Sequence, residues 1–161
     1  MSTIQWKYNN KGISIVEILV VIAIIGIALV SILSLTTLSL RASISIKETT
    51  QANTLAQETM EAVRNFRDGT NWETDGLKNY SGTYHPEKSG DPSKWILASG
   101  EETIDGFTRK VVFEDVYRDS ITDDIETNGG YLDTDTKKAT VTVSWKDKKL
   151  ELVTYFTNWK Q

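Results

Sequence analysis

The stretch from Ile13 to Leu40 constrains this chain more than any other part of it. Over 28 residues it carries a single charged side chain, Glu17. The hydrocarbon core of a bilayer asks for about 20 apolar residues in a helix, so the run is long enough to span one. Its centre, Ile18-Leu19-Val20-Val21-Ile22-Ala23-Ile24-Ile25, has no polar residue, which is too apolar for a helix with one wet face. The β-branched residues would suit a buried strand, but strands seldom exceed about ten residues. The run is therefore read as a helix.

The flanks narrow the reading. Residues 1–12 hold Lys7 and Lys11 and no acid, which favours a cytoplasmic N-terminus. A secretory signal has a shorter apolar region and a small-residue cleavage site after it. This run is too long, and no small-x-small site closes it. A plain signal anchor accounts for the topology but leaves Glu17 unexplained. A charged side chain at a helix centre costs roughly 2.5–3.5 kcal/mol on insertion scales, and less near its end. A passive anchor gains nothing from that cost; a charge with a partner does.

The residues Lys11-Gly12-Ile13-Ser14-Ile15-Val16-Glu17, followed by Ile18 to Ala28, resemble the prepilin motif of type IV pilins and pseudopilins. The resemblance covers about the first 40 residues, with basic leader, Gly, Glu and apolar run in register. It implies a leader of residues 1–12, cut between Gly12 and Ile13 by a prepilin peptidase, and methylation of the new Ile13 amine. It also implies that Glu17 serves subunit assembly. Cleavage would place a positive amine at the edge of the apolar segment, and that amine and Glu17 offset each other's cost when paired. Paired between neighbouring subunits, they would also set the register. The plainer alternative is that Glu17 snorkels to the headgroups. Ile13 stands where Phe is commonest in the family. Ser34 stands where major pilins often carry a kinking Pro, which suits a minor pilin or pseudopilin; Gly26 remains as a soft point.

Beyond the run, Ala52, Leu55, Ala56, Met60, Val63 and Phe66 fall at spacings of three and four, one apolar stripe on a helix from about Arg41 to Asp68. Asp68-Gly69 marks its stop. No Pro lies between Ile13 and Asp68, so the two stretches are expected to form one helix about 80 Å long. Asn71 to Ser99 reads as loop, with Gly76, Gly82, Pro86, Gly90 and Pro92, anchored to the body by Trp72 and Trp95. Phe107–Tyr117 reads as a strand with Phe107, Val111 and Phe113 inward. Ala139–Trp145 alternates, with Val141, Val143 and Trp145 on one face, and forms a hairpin with Leu150–Trp159 through the turn Lys146-Asp147-Lys148-Lys149. The fold class expected is α+β: a long N-terminal helix packed on a small antiparallel sheet. That order again resembles the pilin fold, and the ending resembles minor pilins of the pilus-modification type. The expected division is leader 1–12, membrane or filament-core helix 13–40, and head 41–161.

The remaining residues offer little chemistry. Net charge is −4, from 18 basic and 22 acidic residues; without Lys7 and Lys11 it is 16 against 22, or −6. Such a balance argues against nucleic-acid binding. There is no cysteine, hence no disulfide and no thiolate chemistry. One histidine, His85, reads as a solvent-facing loop residue, and a lone histidine does not make a triad. The acidic segment from Asp119 through Asp123, Asp124, Glu126, Asp133 and Asp135 has the hard oxygen ligands calcium prefers, but not the spacing of an EF-hand loop. A solvated turn is the preferred reading, and no metal or cofactor is expected. Asn79-Tyr80-Ser81 matches a glycosylation sequon too short to weigh much.

These readings converge on a structural protein: a minor pilin of a type IV pilus-like filament. Its partners would be other pilins or pseudopilins, the prepilin peptidase, and the membrane it crosses once with the head outside the cytoplasm, before joining a surface or periplasmic filament. A pseudopilin of a type II secretion or DNA-uptake system, and a membrane-anchored adhesin, are the alternatives. An enzyme is the class least favoured.

Overall fold

The computed structural model of the chain describes residues 14–91, 94–127 and 129–159. It falls into two compact units, one ending at Ile46 and one beginning at Lys47. The α-helix α1 runs over Ile15–Gly69, with its residues up to Ile46 in the first unit and those from Lys47 in the second. No proline interrupts it, as expected.

In the second unit α1 buries Ala52, Leu55, Ala56, Thr59, Ala62, Val63 and Phe66. This is the predicted stripe, widened by Thr59 and Ala62, with Met60 at its margin. Thr59 can sit there because its hydroxyl donates to the Leu55 carbonyl at 2.8 Å, leaving no polar group unpaired. Thr70 closes the helix by donating from Oγ1 to the Phe66 carbonyl, also at 2.8 Å.

Among the described residues, seven strands form one sheet: β1 (Gly82–Lys88), β2 (Trp95–Ser99), β3 (Glu102–Ile104), β4 (Phe107–Arg118), β5 (Ile125–Glu126), β6 (Tyr131–Trp145) and β7 (Lys148–Thr157). The order is β2-β1-β4-β6-β7, with β3 and β5 also on β4, and every pairing is antiparallel. Phe107, Val111 and Phe113 of β4 and Val141, Val143 and Trp145 of β6 turn inward and bury with the helix stripe. Period-2 alternation explains both strands, since one face meets the core and the other meets water. The β6–β7 turn is tighter than expected: Trp145 pairs directly with Lys148, leaving only Lys146 and Asp147 between. Lys146 also reaches back to Glu48 of α1, and this hydrogen bond holds the Glu48 carboxyl below its ordinary range.

The segment read as a loop from Asn71 to Ser99 is not one. It holds a short 3-10 turn, Leu77–Asn79, and strands β1 and β2. Pro86 lies inside β1, which normally argues against a strand. Here its carbonyl points away from β2 and accepts from Arg109 at 3.4 Å. In an extended residue the amide position faces the same way, beyond the last β1–β4 pair at Tyr84–Val111, so no ladder bond is lost. His85 follows as a second correction: it is a half-buried strand residue paired with Ala98, not a solvent-facing loop residue. Trp72 is buried, as expected of an anchor, and donates from its indole nitrogen to the Thr134 carbonyl at 3.1 Å. Trp95 lies half-buried in β2, with Lys88 Nζ 4.7 Å from its ring centre.

Candidate functional site

In the first unit, α1 opens immediately after Ser14, whose carbonyl accepts from the amides of Glu17 and Ile18 at 2.9 and 3.3 Å. Glu17 occupies the first turn, where the aligned peptide dipoles favour negative charge. Its side chain is exposed. Gly12 and Ile13, the residues expected to flank the cleavage, lie outside the described residues, as do Lys7 and Lys11.

From Ile15 to Leu40 the helix is apolar on every side, and its large side chains are about half exposed or more. A helix hydrophobic all round belongs in lipid or among other helices. It is long and apolar enough to cross a membrane. Four of its five hydroxyls suit that setting. Ser31, Ser34, Thr36 and Thr37 each donate to the carbonyl four residues earlier, at 2.9–3.0 Å, so they need no water. A Cβ on Gly26 would meet nothing within 4 Å. Packing within the chain therefore does not require glycine there.

Four of the acidic candidates in the second unit have hydrogen-bond partners of their own. Asp133 Oδ2 accepts from Arg118 Nε at 2.6 Å, and its Oδ1 accepts from the Asp135 amide at 3.0 Å. Asp119 accepts from the amides of Ile121 and Thr122, at 2.6 and 2.7 Å, and these bonds, Thr122's first, hold its carboxyl below the ordinary range. Asp123 accepts from the Tyr131 hydroxyl at 2.5 Å, which pushes that phenol's pKa up. Asp135 accepts from the Asn158 side chain at 2.9 Å. Asp124 is exposed, and Glu126 is half-buried in β5. Among the described residues, no group of three or more His, Asp or Glu side chains is placed to hold a metal ion. Asn79, the sequon residue, uses its side-chain nitrogen to donate to the carbonyls of Glu73 and Thr74 at 3.3 and 3.2 Å.

Two features went unread in the sequence. Arg109 is 4% exposed on the inner face of β4, bracketed by Glu58 and Glu102. A groove of about 520 Å³ lies where the end of α1 meets the end of β7, between Arg67, Asp68 and Trp159. Arg109 had a signal, since it shares the parity of Phe107 and Val111; the groove had none.

The model of the prokaryotic N-terminal methylation motif matches residues 7–33. Those residues hold Gly12, Ile13 and Glu17 in register with the start of the apolar helix. No curated protein and no solved structure matches the chain. The chain thus carries the prokaryotic N-terminal methylation motif, the signature of type IV prepilins, at the start of a long apolar helix with an antiparallel sheet after it.

Proposed function

We propose that the chain is a minor pilin, a structural subunit of a type IV pilus-like filament. A prepilin peptidase removes residues 1–12, cutting between Gly12 and Ile13, and Ile13 receives the methyl group. Residues 13–40 hold the subunit in the membrane and then in the filament core, and residues 41–161 form the outward head. The observation that carries this reading is Glu17. It is the one charge in a 28-residue apolar run, placed in the first turn of the helix and five residues past Gly12. Such a charge is costly in lipid, and the amine that cleavage would create on a neighbouring subunit is the partner that repays it. Ser34 in place of the kinking proline favours a minor subunit over a major one.

Intact mass and N-terminal peptide analysis of the protein from its native membrane test the proposal. The expected chain begins at Ile13 and carries one additional methyl on its α-amine. A chain still beginning at Met1, in cells with an active prepilin peptidase, overturns it.

A further inference from the structure

The second unit carries a further feature. The groove between the C-terminal turn of α1 and the end of β7 has a volume of about 520 Å³. That lies within the range of about 300–1,000 Å³ usual for small-molecule sites. Its walls include Arg67, Asp68, Thr157, Asn158 and Trp159, with Trp72 behind them. We propose that it binds a neutral saccharide, stacked on Trp159 and hydrogen-bonded to Asp68, Thr157 and Asn158.

Charge decides the ligand class first. Arg67 is the cation among the wall residues named, and it is already matched. Its Nε and one terminal nitrogen lie 2.9 and 2.7 Å from Asp68 Oδ1. Its guanidinium carbon sits 5.5 Å from the ring centre of Phe156 and 5.4 Å from that of Trp159, within cation–π range of both aromatic rings. An anionic ligand would have to displace Asp68, and a cationic one would have to displace Arg67. The groove is therefore neutral in sum but dense in hydrogen-bonding groups.

The aromatic wall decides the second property. Phe156 is buried beneath Arg67, while Trp159 is 57% exposed. Arg67 steadies the indole from one side and leaves the remainder to solvent. A fixed, half-wet indole is a platform for the C–H face of a sugar ring, as aromatic side chains with one dry and one wet side are at interfaces. Trp72 does not compete for this role, because it is buried and offers no open ring face. Asn158 is likewise fixed: its backbone and side-chain N–H groups donate to Asp135 at 2.8 and 2.9 Å. That leaves its side-chain oxygen and the second carboxylate oxygen of Asp68 as acceptors on the groove wall, to which Thr157 also belongs. A flat apolar plate edged by donors and acceptors, without net charge, matches a neutral polyhydroxylated ring.

The test is titration of the full chain in micelles of a non-glycosidic detergent, since sugar headgroups would compete. Cellotriose, maltotriose and tri-N-acetylchitotriose, all uncharged, serve as probes, followed by calorimetry and tryptophan fluorescence. At least one should bind saturably. Trp159→Ala should weaken it by about tenfold or more, Trp159→Phe by less, and Thr157→Val severalfold, with unchanged thermal unfolding because both side chains are exposed. Failure of all three trisaccharides to saturate into the tens of millimolar overturns the proposal. So does binding that Trp159→Ala leaves intact, or binding confined to a charged sugar such as sialyllactose. None of these outcomes bears on the processing of residues 1–12, which the mass measurement addresses separately.

Discussion

The guanidinium of Arg109 on β4 stands 3.3 Å from the carboxylate of Glu58 on α1, an ion pair that joins helix to sheet across the core. Glu102 of β3 completes the bracket at 2.8 Å, and the Pro86 carbonyl accepts a further bond at 3.4 Å. One buried side chain thus ties α1, β1, β3 and β4 together.

Replacing Arg109 with Met should therefore destabilise the head even though the volume is roughly kept. Breaking a buried pair by removing one partner costs about 3–5 kcal/mol. Glu58 and Glu102 retain partial contact with solvent, so the low end, about 3 kcal/mol, is expected. Urea unfolding measures it, and a loss under about 1 kcal/mol, the scale of a surface pair, would mean that Arg109 holds nothing together.

The pair Arg118–Asp133 predicts a pH dependence. Burial pushes the Asp133 carboxyl up, but hydrogen bonds from Arg118, Thr136 and the Asp135 amide together outweigh it and hold the pKa below the ordinary value. A depressed folded pKa means stability fully present above the unfolded carboxylate value, about 3.9, and lost as pH falls through the lower folded value. Asp133→Asn should thus lower the thermal midpoint at neutral pH, and the gap to the parent should close in strongly acidic buffer. A gap of constant size from neutral to acid would show that the charge of Asp133 is not what matters.

Gly130 precedes β6 with φ +73°, and a Cβ there would sit 2.2 Å from the Arg118 carbonyl oxygen and 2.7 Å from its carbon. Both a left-handed backbone and a backbone-to-backbone clash oppose any side chain. Gly130→Ala should cost more than about 1 kcal/mol and should raise amide exchange in Ile125, Glu126 and Tyr131 before the rest of the sheet. Unchanged protection at those amides would contradict this account.

The parts of this fold that could be read from sequence are those where one force acts alone. The run from Ile13 to Leu40 declares itself by hydrophobicity, and Val141, Val143 and Trp145 by alternation against a single core face. Strand β1 is obscured because Gly82 and Pro86 are turn residues by local preference, and their place in a sheet is settled by Arg109 and β2. The first half of β6 is obscured for a related reason. Asp133 and Asp135 look like a solvated turn, and the adjacent Thr136 and Lys137 both bury, breaking the alternation beside the irregularity at Asp115–Val116. Lys137 is tolerated there because Asp115 lies 2.5 Å from its Nζ. The groove brings Arg67 to Trp159 across most of the chain's length, which no local pattern encodes.

Glu17 supplies the sharpest test of assembly. In the first turn of α1 its charge is favoured by the helix dipole whether or not a partner exists, a benefit of about 0.3–1 kcal/mol. Subunit pairing asks more of it: a full negative charge facing a methylated amine in apolar surroundings. Glu17→Gln keeps the length and polarity and removes the charge. If Glu17 only snorkels to the headgroups, the variant should insert, be cut after Gly12 and enter filaments as the parent does. If it pairs with a neighbour's terminus, insertion and cutting should persist while the share recovered in sheared filaments falls about tenfold or more, the effect of leaving one member of an apolar ion pair unmatched. Quantifying membrane and filament fractions from the same cells separates the two, and equal filament recovery for Glu17→Gln and parent would remove Glu17 from the assembly mechanism.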